Sequence, residues 1–326
     1  MGLINTFNPL DLNVIQPFIL RMKSTLLSSF LLLFLLSDMS AQSYFNVLSL
    51  SSNVSPNNTY RNQDARLTIQ DYSGSLQVPL QIDTNNILLV GMSGSKTAFT
   101  YTSNQLQNTN SQLSTVAMQI GWQKNTQPSK QRLIMLIPSI KSDFEDVTGV
   151  DYQIGMAVLY TKKVKPNLKL RYGLYANKHN FGPFLAPLFG LDYAMKNNWR
   201  LFGTLPAFLT LEKKFNKRFR AGADLRISTS TYRFSENIGN PYMQQNLNYA
   251  TAFIEAYPQK VIALRFAAGH SIFRSYRAYA QNQKLDLNIL GIGIGEKRQE
   301  LPNNEFGEVK NGLVFEISLF IRVEID

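Results

Sequence analysis

The stretch from Asn198 to Ser230 constrains this chain more than any other, because its side chains alternate with a period of two. From Trp199 to Glu212 the odd positions read Trp199, Leu201, Gly203, Leu205, Ala207, Leu209 and Leu211, while the even positions include Arg200, Thr204, Thr210 and Glu212. After a break at Lys213 to Arg218 the pattern resumes. Phe219, Ala221, Ala223, Leu225 and Ile227 are apolar, and they interleave with Arg220, Gly222, Asp224, Arg226 and Ser228. Successive side chains of a strand point to opposite faces. The stretch therefore predicts a hairpin with one apolar face and one face of mixed charge. Each arm is read as holding the ~9–11 residues that a tilted strand needs to cross a bilayer.

The N-terminal part reads as targeting sequence rather than fold. Met22-Lys23 opens a basic region, Leu26 to Leu36 forms an apolar core, and Met39-Ser40-Ala41 places small residues before a cleavage point near Ala41. That is the layout of a secretory signal peptide over residues 22–42. Its apolar core is short of the ~20 residues of a membrane-spanning helix. Residues 1–21 lie upstream and read as an extension from a start codon set too early. Residues 43–63, rich in Asn and Ser, read as a polar N-terminal arm, and residues 64–326 as the β-barrel. The chain has no cysteine, which excludes disulfides, thiolate catalysis and cysteine metal sites. Its formal net charge is +11. The leader carries Arg21 and Lys23 against Asp11 and Asp38, so its removal leaves that balance unchanged. In an exported chain with bases scattered over many segments, the excess points to anionic lipid and lipopolysaccharide rather than nucleic acid.

Beyond the arm the chain is a succession of strand-like segments separated by turn residues. Leu67 and Ile69 are apolar at odd positions, whereas Leu76, Val78, Leu80 and Ile82 are apolar at even ones, which predicts a bulge or turn near Ser73-Gly74. Asp83 to Asn86, Lys165-Pro166-Asn167 and Pro258-Gln259-Lys260 read as turns. Arg132 to Lys141 is apolar on both faces. Arg274 to Gln283 reads as either a strand extension or a turn, Leu285 to Gly295 as a weak Gly-rich strand, and Glu296 to Asn311 as the longest polar loop. The closing segment sets Leu313, Phe315, Ile317, Leu319, Ile321, Val323 and Ile325 against Glu316, Ser318, Arg322 and Glu324. The count is about twelve strands, with ten or fourteen also compatible with the even numbers of bacterial barrels.

A secreted soluble β-sandwich would alternate in the same way. Strands well beyond the ~5–6 residues usual in soluble proteins favour the membrane barrel. So do the apolar face that continues through the last strand and the aromatics near strand ends at Tyr152, Tyr160, Trp199 and Tyr257, which suit an interfacial girdle. The fold expected is all-β: a single antiparallel up-and-down transmembrane β-barrel. Phe181-Gly182-Pro183, the run Pro187-Leu188-Phe189-Gly190-Leu191-Asp192-Tyr193, Trp199 to Phe202 with Leu205-Pro206, and Gly269-His270-Ser271 with Arg274-Ser275-Tyr276 carry a resemblance. On these residues the chain is similar to a family of Gram-negative outer-membrane β-barrel proteins known only as a domain of unknown function. The resemblance implies a barrel in the outer membrane and no activity. It departs from many outer-membrane strands in finishing on Glu324-Ile325-Asp326 rather than on an aromatic residue.

Chemistry-bearing residues are sparse. The chain has two histidines, His179 and His270. His270 and Ser271 are adjacent and face opposite sides of a strand, so they form no dyad. His179 stands by Asn180 with no serine near it in sequence. No metal spacing occurs, and Gly291-Ile292-Gly293-Ile294-Gly295 lacks the spacing and βαβ context of a dinucleotide site. No catalytic residue, cofactor or metal is expected. The residues that fall on inward faces are Lys169, Arg171, Arg200, Glu212, Arg220, Asp224, Arg226, Glu316, Arg322 and Glu324. They would either tune a pore or pair with one another and fill the barrel. The expected function is a porin-like outer-membrane barrel of structural or passive-transport type. The alternatives are a barrel enzyme acting on lipid through a histidine, and a soluble periplasmic ligand-binding β protein. The expected partners are outer-membrane lipid, lipopolysaccharide and the insertion machinery.

Overall fold

The computed structural model describes residues 44–59, 66–102, 112–236, 239–301 and 309–324, with the backbone alone at Tyr101, Thr102 and Glu324. The expected upstream extension and signal peptide lie outside these residues. In chain order the strands are β1 (Tyr44–Thr59), β2 (Arg66–Gln81), β3 (Asn86–Thr102), β4 (Gln112–Gln127), β5 (Lys130–Ser142), β6 (Tyr152–Lys165), β7 (Leu168–His179), β8 (Gly182–Ala194) and β9 (Trp199–Leu205). They continue as β10 (Phe208–Lys214), β11 (Phe219–Arg233), β12 (Tyr242–Gln259), β13 (Ile262–Ser271), β14 (Ser275–Tyr279), β15 (Leu287–Ile289), β16 (Ile292–Ile294) and β17 (Leu313–Glu324).

Strands β1 to β13 pair with their chain neighbours, β13 pairs with β17, and β17 pairs back to β1 from Tyr44↔Glu324 to Val54↔Phe315. The wall is a closed antiparallel barrel of 14 strands, and closure leaves no open sheet edge around its base. Connections at the end where β1 starts and β17 finishes are tight turns, such as Asp83 to Asn85 and Pro166-Asn167. There the Asp83 carboxylate accepts from the Asn85 and Asn86 backbone N–H groups at 2.7 and 2.8 Å.

Apolar side chains cover the outside. Met118, Ile120 and Trp122 on β4, Ile154, Met156 and Val158 on β6, and Phe315 and Ile317 on β17 are all exposed. Water does not support a contiguous apolar surface of this extent on a monomer, whereas a bilayer does. Among the described residues no helix is long and apolar enough to cross a membrane, so the crossing is made by strands.

The structure corrects the sequence reading in five places. Within the expected polar arm at 43–63, Tyr44–Thr59 is β1, a wall strand. The run Trp199 to Glu212 is not one arm but two strands of 7 residues each, β9 and β10, joined at Pro206-Ala207. Thr204 pairs with Phe208 across that turn, so even positions stay even and the alternation passes through the turn unbroken. No bulge lies near Ser73-Gly74, since β2 and β3 keep one register from Arg66↔Thr102 to Gln81↔Ile87. Leu67 and Ile69 instead point inward, onto a buried apolar cluster. Tyr257, expected in the interfacial girdle, is buried inside the barrel. Leu285 to Gly295 supplies no wall strand; β15 and β16 form a small hairpin set beside β8.

At the end away from the tight turns the interior is filled. The ends of β11 and β12 lean across the lumen, and Tyr232, Phe234 and Met243 pack with Leu67, Ile69, Phe99 and Leu113 of the opposite wall and with Tyr276. Arg233 anchors the crossing. It pairs with Ser142 of β5 and bonds Asp151 at 2.8 Å and Asp146 at 2.8 Å in the β5–β6 connection.

Candidate functional site

The barrel interior near the tight turns holds a continuous network of arginines and carboxylates on adjacent strands. Period-two alternation turns these side chains inward, and antiparallel register sets opposite charges side by side. Glu212 of β10 faces Gly222 of β11, and its carboxylate accepts from Arg220 at 3.1 Å. Asp224 accepts from Thr210 at 2.6 Å, from Arg226 at 3.1 Å and from Arg265. Arg226 also donates to Glu316 of β17 at 2.8 Å, and Ser318 donates to the same carboxylate at 2.6 Å.

Glu255 of β12 lies at the centre and is fully buried. It accepts from Arg265 of β13, its direct cross-strand partner, at 2.8 Å and from Arg322 of β17 at 2.7 Å. Arg322 donates further to Tyr257 at 2.7 Å and to Asn46 at 2.8 Å. Aromatic faces cover the guanidinium groups, with Arg322 4.1 Å from the Tyr44 ring centroid, Arg265 3.9 Å from that of Phe253 and Arg220 4.8 Å from that of Tyr257. Arg220, Arg226, Arg265 and Arg322 balance Glu212, Asp224, Glu255 and Glu316. Every carboxylate has a cation, which is the condition for burying charge at tolerable cost.

The remaining inward candidates form a second, smaller group. Arg200 grips Asp192 through parallel bonds of 2.7 and 2.5 Å, a fork geometry that adds direction to charge. Lys169 is opposite Asp192 in the β7–β8 register and is half-buried. Arg171 is buried and donates to Thr204 at 3.2 Å. Gly190 permits that reach, because a Cβ there would meet Arg171 Cβ at 3.0 Å and Thr204 Oγ1 at 2.9 Å. The side chain of Glu324 lies outside the described residues. Sequence reading missed Glu255, Arg265, Asp192 and Tyr44. The available signal for Glu255 and Arg265 was charge of opposite sign five residues to either side of Lys260, on strands apolar on both faces.

The other side of the lumen is different in character. Leu89, Leu133, Met135, Ile137 and Leu159 project inward from β3, β5 and β6, as shown by the Leu89, Leu133 and Met135 contacts at the inward-facing Gly121 and the Ile137 contact at Gly155. All five are half-exposed although they lie inside a closed wall, so they line open space. The histidines stand apart from the network. His179 is buried, with Thr231 Oγ1 3.2 Å from Nδ1 and Asn177 Nδ2 3.2 Å from Nε2. His270 is exposed and meets the Ser271 carbonyl at 2.7 Å. Among the described residues no group of side chains could hold a metal ion.

Fold and interior together define a membrane-spanning β-barrel of the outer-membrane type, with an apolar exterior and a charged, internally paired lumen. The chain belongs to the family described as a domain of unknown function (DUF6268), whose model matches residues 37–285. No curated protein matches it in sequence. Among solved structures it is similar to an outer membrane channel from Pseudomonas putida F1, with 8% identity and a TM-score of 0.45 over 88% of this chain and 98% of that one. It is also similar to a deltaS2S3 mutant of the TodX monoaromatic hydrocarbon channel, with 13% identity and a TM-score of 0.38 over 84% of this chain and 88% of that one. A third similar structure is the ferric-catecholate import receptor Fiu from E. coli K12, with 8% identity and a TM-score of 0.29 over 79% of this chain and 42% of that one.

Proposed function

We propose that this protein is a passive transport barrel of a Gram-negative outer membrane, whose paired lumen charges set what passes and carry out no chemistry. The half-exposed inward side chains Leu89, Leu133, Met135, Ile137 and Leu159 carry this reading, because they mark accessible space within the wall. The ion-pair network occupies only one side of that space. In this reading the tight-turn end faces the periplasm and the longer connections face outward, as is usual for such barrels. Lipopolysaccharide and outer-membrane lipid surround the apolar belt, and the insertion machinery assembles the wall after leader cleavage near Ala41.

The test is permeation. Folded protein in a planar bilayer should give discrete conductance steps, and liposomes carrying it should take up arabinose. A protein that is folded by heat-modifiable migration yet gives neither current nor uptake would remove the transport reading. The non-enzymatic part of the proposal is tested separately. A deletion strain and strains with His179→Ala or His270→Ala should keep wild-type lipid A and phospholipid profiles. A changed profile would point to the lipid-active alternative.

A further inference from the structure

The lipid-facing side of the wall is not evenly filled. Gly74 of β2 and Gly94 of β3 are direct cross-strand partners and face outward, as do the exposed Tyr72, Leu76 and Met92 two residues away. One rung nearer the open end, Ser52 of β1, Tyr72, Lys96 of β3 and Ser114 of β4 stand side by side. A groove of about 850 Å³ runs over these two rungs, walled by Leu50, Val116, Ile317 and Leu319. It lies on the outer face. Outward-facing Leu264 lines it without either chain neighbour, whereas the inward-facing Ser51, Ser73, Ser95, Thr115 and Ser318 each enter only between two outward residues that also line it. Space stands open over its floor, because a Cβ at Gly94 would meet only the Thr115 carbonyl oxygen, at 3.6 Å.

The groove slants across the membrane-spanning height. Measured from the tight-turn end, Lys96 is ten residues past Asn86, Gly74 seven before Gln81, Leu50 six past Tyr44, Leu319 five before Glu324 and Leu264 two past Ile262. Ten residues of a tilted strand rise about 25 Å, the height of the apolar band of such barrels. Lys96 therefore marks the interface away from the tight turns, and the groove falls from it into the hydrocarbon region past small and apolar residues. Lys96 is exposed, and its cross-strand neighbours Tyr72 and Ser114 are uncharged. Among the described residues no carboxylate lines the groove. Unlike the lumen arginines, this cation has no counter-charge beside it in the groove.

We propose that this groove is a binding site for lipopolysaccharide, with a lipid A phosphate on Lys96 and one acyl chain following the slant toward Leu264. The assignment rests on the orientation given above, tight turns toward the periplasm, which puts Lys96 in the outer leaflet. A lysine on a bare wall reaches headgroups by snorkelling alone. Here the charge-assisted bond to the phosphate is joined to a depression that takes the chain below it, so charge and shape both select the occupant. Lys178 supplies the contrast. It is exposed on the outward face of β7, also ten residues from the tight-turn end at Leu168, but it does not line the groove.

The experiment is native mass spectrometry of the full folded barrel in detergent, with diphosphoryl lipid A and phosphatidylglycerol as probes. Wild type should retain one lipid A in preference to phosphatidylglycerol. Lys96→Gln should weaken retention about tenfold, the loss expected of one charge-assisted hydrogen bond. Gly94→Leu, which fills the floor and keeps every charge, should weaken it as well, and Lys178→Gln should leave it unchanged. Folding of each variant is checked by heat-modifiable migration, and the two lysine variants decide the matter if Gly94→Leu does not fold. Absence of retention, equal loss in Lys96→Gln and Lys178→Gln, or phosphatidylglycerol held as tightly as lipid A overturns the proposal. Orientation is read separately from Val147→Cys, exposed in the β5–β6 connection, which an impermeant thiol reagent should label in intact cells. Labelling there without selective retention of lipid A removes only the groove's occupant, whereas labelling only after the outer membrane is opened removes the orientation and the proposal with it.

Discussion

Glu255 is the residue on which the lumen network depends most. It holds Arg265 and Arg322 at once, and all three are buried. Removing one partner of a buried pair costs ~3–5 kcal/mol, because the charge left behind is neither solvated nor paired. Glu255→Gln should therefore destabilise the reconstituted barrel by about that amount in urea unfolding, and adding Arg322→Met should recover part of the loss. A loss below ~1 kcal/mol would match an exposed pair instead. Asp146 gives a pH dependence at the opposite end. The Glu236 N–H and the Arg233 guanidinium hold its carboxyl below the ordinary carboxylate range. A depressed pKa contributes stability that is present above the unfolded value and lost as pH falls through the folded one. The Arg233 strut should thus hold at neutral pH and loosen only in acid below that range. Because the chain has no cysteine, spin labels at Val147→Cys and Glu236→Cys report on this distance alone. Asp146→Asn should give the loosened distance at every pH, and identical behaviour of Asp146→Asn and the parent would contradict the assignment. At this scale the sequence revealed inward charges on several strands whose opposite face was cleanly apolar, as at Arg220 and Arg322, though not Asp192. It concealed Glu255 and Arg265, which sit among Phe253, Ile254, Leu264 and Phe266 on strands apolar to both sides.

Among the elements, the short hairpin β9–β10 and the β15–β16 hairpin beside it make this barrel unlike an even cylinder. Both escaped sequence reading for physical reasons. The Pro206-Ala207 turn preserves the parity of the alternation, so it leaves no phase break. The β15–β16 hairpin docks through non-local parallel pairing that no local pattern encodes. Conversely, the apparent phase break near Ser73-Gly74 marks a change in what the lumen contains, from small polar residues to an apolar plug, and the strand itself runs on. Gly182 secures the docked segment. It has φ +119, a conformation costly for residues with a Cβ, and a Cβ there would fall on the Leu285 carbonyl oxygen. The Leu285 N–H also donates to the Phe181 carbonyl at 2.7 Å. Gly182→Ala should release residues 285–290 from the β8 edge while the wall stays closed. Hydrogen exchange should then rise in β15 and β16 and stay slow in β6, β7 and β12. Equal acceleration across the wall would mean that the hairpin is integral to it.

For the molecule as a whole, a closed wall places two solvents in contact with one chain, lipid outside and water or protein within. The alternation in the closing segment and in 199–230 was enough to read that architecture, since a strand between two such media must alternate. Ring size was less legible, because β1 is too polar to look like a wall strand and β9–β10 conceals a turn. A transport barrel requires one partition: Leu133, Met135 and Ile137 face a wetted lumen, while Ile134 and Leu136 face lipid. Single cysteines at these positions, treated with a membrane-impermeant thiol reagent on the folded protein in liposomes, test it directly. Labelling is expected at Leu133→Cys, Met135→Cys and Ile137→Cys, and protection at Ile134→Cys and Leu136→Cys. Uniform protection, or labelling at the two outward positions instead, would contradict it.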